Sequence, residues 1–76
     1  MSDFELVEVE CYSGRRYGER PRSFHLRGEK YYVEEVVKEW LEPGERHFEV
    51  TVRGDGRFEL VYNERNDAWQ AKGPGV

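Results

Sequence analysis

The sequence predicts an all-β domain, a small curled antiparallel sheet or barrel of about five or six strands, rich in meander connections. Three observations carry the prediction. From His47 to Ala71 apolar and polar residues alternate with period two, and turn residues interrupt the pattern twice. Gly and Pro recur often enough to cut the 76-residue chain into short runs. Only one segment, 33–41, also carries helical spacing, so a single short helix there is the open alternative.

Phe4 to Tyr12 reads as the first strand, with Val7, Val9 and Cys11 on one face and Glu8 and Glu10 on the other. Ser13 to Pro21 is a loop, punctuated by Gly14, Gly18 and Pro21. Arg22 to Arg27 forms a short second strand, Phe24 and Leu26 facing in, Ser23 and His25 facing out. Arg27-Gly28-Glu29-Lys30 has the composition of a hairpin turn, because Gly tolerates the positive φ that tight hairpins need.

Tyr31 to Leu41 supports two readings. Val33, Val36, Val37, Trp40 and Leu41 fit an amphipathic helix. The aromatic and β-branched residues Tyr31, Tyr32, Val33, Val36 and Val37, entered from a hairpin, fit a strand instead. A bulge near Glu34-Glu35 would turn Val33, Val36 and Trp40 toward the core, and this bent strand is the preferred reading. Glu42-Pro43-Gly44 ends the element in either case.

The meander follows. Phe48, Val50 and Val52 alternate with His47, Glu49, Thr51 and Arg53, and Gly54-Asp55-Gly56 breaks the run. Phe58, Leu60 and Tyr62 resume it until Asn63 to Asp67 breaks it again before Trp69. Such alternation requires one buried and one wet face. Residues 1–71 form one domain, and Lys72 to Val76 is expected to be a disordered tail.

A chain this short buries only about 60% of its unfolded surface. Its core must come from a few large side chains: Phe24, Trp40, Phe48, Phe58 and Trp69, with Val and Leu partners. Little room is left for a deep substrate cavity, so an enzyme is not expected. Cys11 is the lone cysteine and has no intramolecular disulfide partner. Neither a signal-peptide pattern nor a long apolar run is present, so the expected location is cytoplasmic, without membrane insertion.

Charge is unevenly distributed. Residues 1–10 carry four acids and no base. Residues 15–30 carry Arg15, Arg16, Arg20, Arg22, Arg27 and Lys30 against Glu19 and Glu29. Arginines interleaved with Tyr12 and Tyr17 in a Gly-containing loop suit phosphate contact and base stacking. Arg15, Arg16, Tyr17, Arg20 and Arg22 are therefore the candidate binding residues. The opposing reading pairs these arginines with the Glu-rich strand, and the overall charge of −4 disfavours nonspecific attraction to nucleic acid.

Other chemistry has little support. Cys11, His25 and His47 do not stand at zinc-site spacing, and both histidines fall on expected wet faces, so no metal site is expected. Ser13-Gly14 lacks a nucleophile-elbow context, and acidic neighbours disfavour a reactive Cys11 thiolate. Glu34-Glu35 on a strand would point to opposite faces. The glycines around Asp55 are turn residues and form no phosphate loop. Trp40 and Trp69 are expected as core anchors; if exposed, either becomes a docking surface. An open sheet edge offers a second route to a partner.

The order GERPRSFHLRGEKYYVEEVVKEW, FEVTV, GDGRFELVYNERNDAWQA resembles an uncharacterised family of small bacterial β-domains. The shared features are an Arg-Pro-Arg-aromatic entry over Arg20 to Phe24, a Gly hairpin before a Tyr-Val run over Gly28 to Val33, and an aromatic-Glu-Leu-x-Tyr strand followed by Asp-x-Trp over Phe58 to Trp69. The domain is similar to the C-terminal segment of translesion-type polymerase-like proteins of bacterial mutagenesis cassettes. The resemblance implies a small β-domain with an accessory or interaction role near DNA repair, and no catalytic residue.

The expected function is thus a non-catalytic interaction or accessory module without cofactors. It would bind a protein partner, as a monomer or weak homodimer. The alternative is a nucleic-acid-associated module using the Arg/Tyr loop 12–22.

Overall fold

A computed structural model of the chain describes residues 4–11, 20–54 and 56–73. Six strands run in chain order: β1 (Glu5–Cys11), β2 (Pro21–Leu26), β3 (Glu29–Glu42), β4 (Glu45–Val52), β5 (Gly56–Asn63) and β6 (Ala68–Lys72). Each pairs antiparallel with the next, and β6 returns to β1 to close a barrel. The expected all-β barrel is what forms. Among the described residues there is no helix, hence none long and apolar enough to cross a membrane.

Local chemistry explains the connections. Leu26 pairs with Glu29, leaving Arg27 and Gly28 as the loop, both at positive φ (53° and 81°), as a tight hairpin matched to strand twist requires. The β5–β6 turn is held by Asn63, whose Oδ1 accepts the backbone N–H groups of Arg65 and Asn66 at 2.9 and 3.2 Å. Glu64 N–H donates to the Gly44 carbonyl at 2.9 Å, tying this turn to the β3–β4 turn. β6 extends through Lys72, which pairs with Glu59, so order reaches into the segment expected to be a tail.

The barrel interior is filled by side chains. Phe24, Tyr31 and Phe58 group with ring centroids 4.9 to 5.3 Å apart. Tyr62 and Phe48 gather on Trp69, at 5.2 and 5.7 Å. Val50, Val52, Leu60, Cys11 and Ala71 are buried in the same core cluster. Full burial of a large apolar side chain is worth about 1.5–3 kcal/mol, so these few residues supply much of the driving force.

The segment 33–41 is a bent strand, as preferred, but with two bulges. Its pairing with β4 shifts between Val33 and Glu35, and again between Val36 and Lys38. Val33 and Val36 pack against the core. A second inserted residue reverses the side-chain parity once more. Trp40 therefore lies on the outer face, and its expected role as a core anchor is corrected.

Two other expectations change. Ser23 points outward yet is only 2% exposed, and its hydroxyl donates to Glu10 Oε1 at 3.1 Å. Closure of the barrel gives every strand a neighbour on both sides, so among the described residues an open edge is confined to parts of strands, such as residues 33–42 of β3 beyond its pairing with β2.

Candidate functional site

The chemistry converges at the β3–β4 hairpin, on the outer face of the barrel. Pro43 and Gly44 form its turn, so Glu42 and Glu45 stand directly opposite each other. His47, two residues beyond Glu45, shares their face and pairs with Trp40 across the strands. The second bulge in β3 is what brings Trp40 outward to meet it.

The imidazole of His47 stacks on the Trp40 indole, with centroids 5.0 Å apart and planes 17° from parallel. His47 is consequently buried, only 8% exposed, and not the ordinary surface histidine that alternation suggests. Its parity is outward as expected; the indole covers it. The Trp40 Nε1–H donates to Glu42 Oε2 at 3.1 Å.

Three carboxylates surround the imidazole. Nε2 lies 2.9 Å from Glu45 Oε1 and 3.6 Å from Glu42 Oε2. Nδ1 lies 3.2 Å from Glu59 Oε2, which reaches across from β5. Burial, the largest single influence, lowers the His47 pKa. Hydrogen bonds to Glu59 and Glu45, with the charges of Glu42 and Glu45, outweigh it, and the pKa rises above its ordinary 6.5.

A cleft of about 260 Å³ opens beside this cluster, lined by Arg20, Glu39, Trp40, Leu41, Arg46, His47 and Phe48. Leu41 is 72% exposed. Arg20 pairs with Glu39 at 3.6 Å, and Arg46 pairs with Glu64 at 3.4 Å. Both pairs are solvent-accessible and individually weak, so either arginine can be shared with a ligand at small cost.

The sequence-predicted binding set is only partly described. Arg15, Arg16 and Tyr17 lie outside the described residues. Arg20 is exposed at the cleft, and Arg22 is exposed on β2. A different cationic pair flanks an aromatic elsewhere: Lys30 Nζ and Arg53 Cζ each lie 5.1 Å from the Tyr32 ring centroid, and Tyr32 is 44% exposed.

The Glu42–Glu45–His47–Glu59 group was not singled out by sequence spacing. A signal was present in Glu42-Pro43-Gly44-Glu45 followed by His47. A two-residue turn dictates that 42 faces 45, and period two then adds 47 to that face. Compared with known proteins, the chain matches no protein-family model, no curated protein and no solved structure.

Proposed function

We propose that the protein is a non-catalytic interaction module that docks a protein segment in the cleft beside Trp40 and Leu41. The observation that carries this reading is Leu41, a large apolar side chain 72% exposed beside a half-buried tryptophan at an open cleft. Aromatic anchors flanked by arginine are the usual centres of protein recognition. The occupant is an extended segment with one apolar anchor residue for Trp40 and Leu41, flanked by acidic groups for Arg20 and Arg46. The barrel interior is filled by core side chains, which supports a role without catalysis.

The test is a peptide library of that pattern, with binding followed by tryptophan emission. At least tenfold weaker binding by Leu41→Asp, with an unchanged circular dichroism spectrum, is the expected result. Equal binding by the wild type and Leu41→Asp would overturn the reading.

A second reading, association with nucleic acid in the DNA-repair setting that the family resemblance implies, is favoured by Tyr32 between Lys30 and Arg53. An exposed ring flanked by cations suits base stacking with phosphate contact. Titration of single-stranded DNA and RNA across a salt series tests it. Binding that weakens with salt and is lost in Tyr32→Ala supports this reading, and no binding at low salt rejects it.

A further inference from the structure

We propose that Glu42, Glu45 and His47 form a binding site for a divalent first-row transition ion, with Glu59 positioning the imidazole. The three ligand atoms lie within 4.8 Å of one another. The separations from Nε2, 2.9 and 3.6 Å, bracket the spacing of neighbouring ligands around an ion held at about 2.1 Å.

Three separate features of the fold point to a cation at this spot. The first is backbone register. Glu42 and Glu45 are directly opposed across a two-residue turn, where like charges destabilise a hairpin unless something positive lies between them. The second is the local charge balance. Among the described residues His47 is the one ion-pair partner of Glu42, Glu45 and Glu59, so at most one positive charge faces three carboxylates.

The third is the arrangement of the ring. Glu59 holds Nδ1 at 3.2 Å from the opposite side, the carboxylate–imidazole pairing that aims the other nitrogen at a metal. With the proton on Nδ1, the Nε2 lone pair faces two carboxylates, an arrangement of acceptors only. A single proton on Nε2 serves Glu45, at 2.9 Å, while Glu42 Oε2, 3.6 Å from Nε2, accepts only the Trp40 Nε1–H. A divalent ion serves all three. Stacking on Trp40 locks the ring plane, so the site is preorganised, and the adjoining cleft leaves open positions for water.

One imidazole with two carboxylates favours ions such as Zn²⁺, Mn²⁺ or Co²⁺ over Mg²⁺. The ion would join the end of β3 to the start of β4, and through Glu59 to β5.

The probe is Zn²⁺, titrated by calorimetry into the full chain after chelator treatment, with Mg²⁺ as control. The expected result is one Zn²⁺ per chain, Mg²⁺ at least tenfold weaker, and loss of that binding in Glu42→Gln/Glu45→Gln. Glu59→Gln should weaken binding by about 10–100-fold without changing the stoichiometry. Co²⁺ substitution should give a visible spectrum absent from His47→Gln. Circular dichroism of each variant separates loss of binding from loss of fold. Failure of Zn²⁺ to bind the folded wild type would overturn the proposal, as would undiminished binding by folded Glu42→Gln/Glu45→Gln. Because no readout involves Leu41 or a peptide, the outcome is independent of the docking test.

Discussion

The imidazole of His47 lies nearly parallel to the indole of Trp40, with ring centroids 5.0 Å apart. The contact sits on the outer face of the barrel, where a lone histidine would ordinarily be wet. It exists because two bulges in β3, rather than one, set the direction of Trp40.

His47 should make stability depend on pH in the metal-free protein. Its folded pKa is raised above 6.5, so the contribution is full below pH 6.5 and is lost as pH rises through the folded value. Urea unfolding in chelator, run above about pH 5.5 to stay clear of ordinary carboxylate titration, should show stability falling with pH. His47→Gln should flatten that slope. A wild-type slope of the opposite sign would refute the assignment.

The two tryptophans should differ in quenching. Trp69 is 4% exposed inside the barrel, whereas Trp40 is half-buried on its surface. Acrylamide should quench one component of the emission readily and leave a protected one. Trp40→Phe should remove the accessible component.

Gly56 has no space for a side chain. A Cβ there would meet Val52 Cγ2 at 2.9 Å and Phe58 Cε1 at 3.1 Å, both on buried residues that cannot swing into solvent. Gly56→Ala should therefore cost about 1–3 kcal/mol by overpacking. Differential scanning calorimetry should show a melting temperature lower by about 4–8 °C for each kcal/mol.

Leu60 and Leu6 offer a matched pair. Leu60 is fully buried and Leu6 is 74% exposed. Leu60→Ala should cost about 2–5 kcal/mol, enough to unfold much of the population of so small a domain. Leu6→Ala should change stability by less than about 0.5 kcal/mol. Chemical denaturation of both variants checks the contrast.

Several features were legible in the residues themselves. The alternation from Phe48 to Val52 and from Phe58 to Tyr62 marks strands, because period two matches the pleat and nothing else so short. Gly28 and Gly54 mark turns by their tolerance of positive φ. The bulge at Glu34-Glu35 was also visible, as a break in parity between Val33 and Val36. The second bulge was not, since it depends on which residues of β4 the strand meets. That one residue of register turned Trp40 outward, covered His47 and made the site.

Alone, the sequence determined an antiparallel meander with its turns and most of its core, because backbone preference and period-two burial act over a few residues. Closure of β6 onto β1, the burial of Ser23 beside Glu10 and the meeting of Glu59 with His47 were decided only by the tertiary structure. Each depends on the register between strands, which cooperative packing of the whole barrel sets and no local window contains.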